Sequence, residues 1–292
     1  MLRYLSFAAL AILVPMKSQA IEVLNSIKPF EMISHELILE GQTTSSLLNA
    51  NASPHDYAMR PSDVKRLNSS DVVVWFGPDL ESFLDKSLEG KSNVVKVVDI
   101  EGMSLREFGD DDHGHEGHHH GSYDPHVWLG PKQALKVAQA ISAKLITLDP
   151  ENRTEYQQKL AKFEANLSQT ESEIKQDLAP IQTEGYYVFH DAYGYFESYF
   201  SLNNLGHFTV SPERKPGAKT LISIKTTLKE KQIKCVFAEP QYTPAVIESV
   251  TRGTGTNIGR LDPLGTDIVV EDGSYFTFLH ALSDSFTDCL SQ

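Results

Sequence analysis

Short runs of apolar and β-branched residues alternate along the chain with longer stretches whose apolar positions recur every three or four residues. Val72–Trp75, Val94–Val98, Tyr186–Phe189 and Val236–Ala238 are compact apolar runs bounded by polar or turn residues, and they read as strands. Lys132–Leu148 and Thr220–Lys231 show helical spacing between them. Strands that alternate with helices in this way predict α/β architecture with mostly parallel sheets.

The middle of the chain differs. From Glu151 to Leu178 the apolar positions Tyr156, Leu160, Phe163, Leu167, Ile174 and Leu178 form one stripe on a long amphipathic helix. Pro150 suits its first turn and Pro180 ends it. A helix of about 28 residues spans about 42 Å, more than one small lobe requires. It reads as a strut between two lobes, with a plain helix inside one domain as the alternative. The division is then an N-terminal lobe over 21–150, a linking helix over 151–179 and a C-terminal lobe over 180–292.

One apolar run has a different character. Arg3 precedes Leu5 to Pro15, and Ser18-Gln19-Ala20 supplies a small-x-small site. About 11 continuous apolar residues are too few to span a bilayer of about 30 Å. Residues 1–20 therefore read as a signal peptide cleaved after Ala20, in preference to a buried N-terminal helix.

The 292 residues carry 26 Lys plus Arg against 39 Asp plus Glu, a net charge of −13 that becomes −15 once Arg3 and Lys17 leave with the leader. No basic cluster occurs, which argues against nucleic acid and anionic lipid as partners. Two cysteines remain, Cys235 and Cys289. In an exported protein that pair reads as one disulfide, with two buried thiols as the alternative.

Histidine is the informative residue type. Five of the eleven histidines (His113, His115, His118, His119 and His120) lie in the segment DDDHGHEGHHHG over 110–121, which has no aliphatic residue. Such a tract cannot pack a core and reads as a flexible loop with weak metal affinity. His190 follows the strand YYVF, His55 sits in a turn after TTSSLLNANASP, and His126 precedes a helix in DPHVWLGP. Glu239 and Asp262 also sit at strand ends, and ligand sites in α/β sheets form beyond the carboxyl ends of strands. Each histidine alone reads as structural, whereas three of them with an acid make a zinc set. His35, His207 and His280 read as structural.

The segments SPHDYAMRPSDV, DVVVWFGPDLESFL, YDPHVWLGPKQA, VFHDAYGYF, CVFAEPQYTPAVIESV and LDPLGTDI occur in this order. With them the chain resembles the periplasmic zinc-binding proteins of bacterial high-affinity zinc ABC transporters, in the metal-binding class of solute-binding proteins. The resemblance runs over essentially the whole mature chain. It implies two α/β lobes joined by one long rigid helix, a metal site between the lobes, and zinc-ligand roles for His55, His126 and His190. It supports a Cys235–Cys289 disulfide and a His-rich insert before the second ligand. Manganese-type relatives place a carboxylate where this chain has His190, and three imidazoles suit Zn²⁺ better than hard Mn²⁺. Some zinc-type members have Glu immediately before the first histidine. Here that residue is Pro54, so the fourth ligand is either Asp262 or water. Tyr57, Arg60, Trp128 and Phe196 are neighbours that could support the site but are not read as ligands.

The resulting expectation is a carrier. It captures periplasmic Zn²⁺, hands the ion to an inner-membrane ABC permease, and uses its His-rich loop as a secondary, weaker zinc site. The protein is expected to be a monomer, and no lipobox cysteine stands at the cleavage site to anchor it in lipid. The rival is a secreted zinc hydrolase with the same three histidines and Glu239 as general base. It has no HExxH or GxSxG in its favour. A cell-surface adhesin or a zinc buffer is a third reading.

Overall fold

The computed structural model describes residues 20–108, 123–210, 212–213, 216–242 and 245–292. The leader up to residue 19 and the His-rich segment 110–121 lie outside the described residues. The first half runs β1 (Glu22–Asn25), α1 (Lys28–His35), β2 (Thr43–Ser46), α2 (Pro61–Ser69), β3 (Val72–Trp75), α3 (Asp85–Leu88), β4 (Val94–Lys96) and α4 (Pro131–Leu148). After α5 (Arg153–Leu178) come β5 (Tyr186–His190), α6 (Gly194–Phe200), β6 (Asn204–Thr209), α7 (Ala218–Glu230), β7 (Cys235–Ala238), α8 (Ala245–Thr251), β8 (Asn257–Arg260) and α9 (Ser274–Leu290).

Two four-stranded sheets result, with orders β2-β1-β3-β4 and β6-β5-β7-β8. Every pairing is parallel. The expected α/β architecture is therefore present, with one sheet built from strands before α5 in the chain and the other from strands after it. Central strands of parallel sheets are covered on both faces and read as unbroken apolar runs. Accordingly, all four residues of β3 and all five of β5 are buried.

The long helix has 26 residues, about 39 Å at the standard rise. It begins slightly later than the apolar spacing suggests, because Pro150–Asn152 forms a 3-10 turn first. Asp149 fixes that turn by accepting hydrogen bonds from Asn152 Nδ2 (2.8 Å) and Tyr156 Oη (3.1 Å). The stripe Tyr156, Phe163, Leu167, Ile174 and Leu178 is buried, and α5 packs against α4 on one side and α9 on the other. Helix α9 also touches α1, so the terminal helix of the second half reaches back to the first. One continuous apolar cluster consequently contains Val23 and Val74 from the first sheet, Phe163 from α5, and Tyr186 and Phe237 from the second sheet. Such shared packing resists bending about α5.

The Cys235–Cys289 disulfide joins the first residue of β7 to the last turn of α9. His35 faces Asp272 at 3.4 Å, and His280 on α9 faces Glu173 of α5 at 3.2 Å. No helix among the described residues is long and apolar enough to cross a membrane.

Candidate metal centre

The sheets deliver the candidate ligands by their carboxyl ends. His190 is the last residue of β5, and Glu239 immediately follows β7. The register Val188↔Phe237, continued two residues, sets His190 beside Glu239. His126 caps the 3-10 turn Val127–Leu129 that leads into α4. His55 comes from the long connection between β2 and α2, ahead of Pro61 at the helix start. Asp63 anchors the far end of that connection, accepting from Arg60 N (2.8 Å) and Tyr57 Oη (2.9 Å).

These three histidines converge. One ring nitrogen from each of His55, His126 and His190 lies within 4.8 Å of the others, and they are the one such group among the described residues. Ring centroids are 5.4 Å apart for His55–His126, 5.2 Å for His55–His190 and 4.7 Å for His126–His190. Trp128 closes one wall, its ring centroid 5.2 Å from that of His126 and its Nε1 donating to Pro263 O at 2.7 Å. Pro54, Glu239, Gln241, Tyr242, Pro263 and Leu264 complete the lining. The space between them is small, about 10 Å³, room for a single ion or water.

Each buried imidazole has a carboxylate behind it. His126 Nδ1 lies 2.7 Å from Asp124 Oδ1, which also accepts the His126 backbone N–H at 3.0 Å. With Nδ1–H donated to Asp124, Nε2 presents its lone pair to the pocket, the usual carboxylate–histidine arrangement behind a metal. His190 Nδ1 lies 3.6 Å from Glu239 Oε2, whose other oxygen accepts from Tyr193 Oη at 3.1 Å. His190 Nε2 is buried and has no hydrogen-bond partner among the described residues. A buried polar atom left unmatched is costly, and an ion in the pocket would satisfy it.

The electrostatics differ between the two. Burial, helped by the facing His190, holds His126 well below the ordinary histidine range. Burial also opposes protonation of His190, but Glu239, with Asp124 and Asp191, outweighs it and raises that group. Burial pushes Asp124 up to about 6 against the pull of Arg106. The two shifts oppose each other: His126 is held in the neutral state a metal requires, whereas the acids around His190 favour its protonated form, so a metal must displace a proton there.

The structure does not bring Asp262 into the three-histidine group. Its Oδ1 accepts from Leu264 N (3.1 Å) and Gln241 Nε2 (3.0 Å), and its Oδ2 from Thr266 N (2.7 Å), so it caps its own turn. Of the four neighbours named from the sequence, Trp128 lines the pocket, whereas Phe196 is stacked in the core against Phe286 at 5.8 Å. His207 lies on β6, 3.8 Å from Asp191. Sequence reasoning missed Asp124 and Asp191 as supporting acids. The signal was present: each is within two residues of a candidate ligand, in DPH and HD.

Residues 23–289 match the family described as ZnuA, zinc-uptake complex component A, periplasmic. The chain belongs to this family. It is 42% identical over 303 residues to the high-affinity zinc uptake system protein ZnuA of Yersinia pestis, covering 97% of this chain and 95% of that one. Identity to the ZnuA of Haemophilus ducreyi is 41% over 291 residues, covering 93% and 94%. Among solved structures, a crystal structure of ZnuA superposes with a TM-score of 0.80 at 26% identity, covering 93% of this chain and all of that one. A ZnuA deletion mutant with zinc bound gives 0.79 at 25% identity, covering 94% and 99%. The three converging histidines lie within the matched range.

Proposed function

We propose that the chain captures one Zn²⁺ in the periplasm through His55, His126 and His190 and delivers it to the permease of an ABC importer. The observation that carries this reading is the convergence of three ring nitrogens within 4.8 Å around a one-ion cavity. An all-imidazole set suits zinc, at Zn–N distances of about 2.0–2.1 Å. The zinc-uptake names of its relatives point to the same cargo and the same kind of partner.

Water completes the tetrahedron in this reading, because Asp262 is already engaged by three donors. Glu239 accepts a hydrogen bond from Tyr193 and faces His190 Nδ1 at 3.6 Å, which places it behind a candidate ligand, and the chain has no GxSxG. Both features favour a carrier over a hydrolase. The protein acts as a monomer without a lipid anchor, after cleavage at Ala20. Its lobes over 21–150 and 180–292 close little around the helix over 151–179. His113, His115, His118, His119 and His120 take up further zinc weakly, since a flexible loop must be ordered to bind.

The test is complementation. A bacterium lacking its own periplasmic zinc-binding protein should regain growth in chelator-treated medium when given this chain, and not when given the His126→Ala variant. Equal rescue by both would refute the assignment.

A further inference from the structure

Arg106 lies in the chain segment just before the His-rich tract and is not a ligand. Its guanidinium nevertheless grips the carboxylate behind His126 and that of Asp191, the residue after His190. Nη1 donates to Asp124 Oδ2 at 2.8 Å, and Nη2 donates to both oxygens of Asp191 at 3.0 Å. Asp124 turns its other oxygen to the ring and backbone of His126. Asp191 is the residue after His190, and its backbone N–H is held by Thr209 O at 3.1 Å. One planar fork therefore fixes a carboxylate from the first half of the chain and one from the second.

The seat is built to fit. A Cβ on Gly194, at the start of α6, would collide with the guanidinium, so glycine makes room for it. From the same helix, Tyr195 Oη accepts the Arg106 backbone N–H at 2.9 Å and donates to Asp124 O at 2.8 Å. The Asp124 side chain is fully buried and that of Asp191 is 7% exposed. Two buried carboxylates this close to each other need the cation between them.

We propose that Arg106 is a positioning residue of the metal site, holding His126 and His190 in binding geometry before an ion arrives. This rests on the three-histidine reading above. Electrostatics alone predicts the opposite sign: deleting a cation beside a bound dication would tighten binding. A loss of affinity on removing Arg106 therefore reports lost geometry.

The experiment is zinc affinity by chelator competition on the full mature chain, with ¹⁵N spectra of the histidine rings in the metal-free protein. Arg106→Gln should weaken zinc about 10- to 100-fold, as removal of partners behind metal ligands does. Gly194→Ala, which displaces the guanidinium without removing charge, should weaken it in the same direction. The wild type should show one His126 tautomer, protonated on Nδ1, and Arg106→Gln should show a mixture. Unchanged or tighter binding by Arg106→Gln, or an unchanged tautomer, overturns the proposal. His126→Ala separates the two levels. If it binds zinc like the wild type, the three-histidine site itself is wrong. If it loses zinc while Arg106→Gln retains it, only the role of Arg106 falls.

Discussion

Breaking the disulfide should cost stability and leave zinc binding intact, because the structure puts the two at opposite ends of one strand. Cys235 opens β7 and Glu239 follows its last residue. At about 3.3 Å per residue, roughly 13 Å of strand separates the bridge from the carboxylate beside His190. The bridge closes a loop with a sequence separation of 54 residues between β7 and the last turn of α9. In the chain-entropy model, releasing such a loop destabilises by about 4 kcal/mol. Both cysteines are buried, Cys235 at 0% exposure and Cys289 at 5%, so replacement by alanine adds little polar cost. For a chain of this size about 4 kcal/mol corresponds to a fall in Tm of roughly 8 °C or more. The assay is calorimetry of metal-free Cys235→Ala/Cys289→Ala beside the wild type, followed by chelator competition for zinc on both. The double variant should melt about 8 °C lower and hold zinc within a factor of about three of the wild type. A shift under about 2 °C would refute the loop-closure argument, and a tenfold loss of zinc affinity would refute the separation of bridge from site.

Glu197 is buried and accepts hydrogen bonds on Oε1 from Tyr186 Oη (2.9 Å) and Asn204 Nδ2 (2.8 Å). Burial raises it to about 7, so the folded protein keeps a proton that the unfolded chain releases near the ordinary value of 4.5. Its contribution is therefore fully present below that value and is lost as pH rises to about 7, by an amount on the order of 3 kcal/mol. Glu197→Gln retains the accepting oxygen and should melt higher than the wild type at pH 8 but not at pH 5; a pH-independent difference would count against this. Phe286 is fully buried against Tyr186, Phe196 and Phe237. Phe286→Ala should lose about 3–5 kcal/mol in chemical denaturation, and a loss below about 1 kcal/mol would show that the cluster repacks. Deleting residues 111–120 should leave one tight zinc by native mass spectrometry and remove only weaker ions; loss of the tight ion would place the principal site in the tract.

Much of this was legible in the sequence where burial leaves an apolar signature. Central strands β3, β5 and β7 are buried on both faces and stand out as unbroken apolar runs. Edge strands β2 (TTSS), β6 (NLGHFT) and β8 (NIGR) are mostly polar and gave no such signal. The helix start at Arg153 was displaced by a local polar contact, the Asp149 carboxylate, which spacing does not encode. At the site, a strand end marked His190, a turn His55 and a helix start His126; each alone read as structural, and resemblance assigned their role. The supporting groups were harder. Asp124 and Asp191 sit within two residues of candidate ligands in sequence, but Arg106 is 18 residues from one and 85 from the other. Only the folded chain brings that guanidinium between them. Asp262 shows the converse: a strand-end acid in a suggestive motif whose oxygens serve its own turn.

The central claim is one tight zinc held by three histidines, and its most direct test is a stoichiometric one. The mature chain from Ile21, stripped of metal, is titrated with zinc against a competing chelator and followed by native mass spectrometry, beside His55→Ala/His190→Ala. The account predicts a single tightly held zinc in the wild type that disappears in the variant, with any further ions bound weakly by both. Unchanged tight binding in the variant would contradict it.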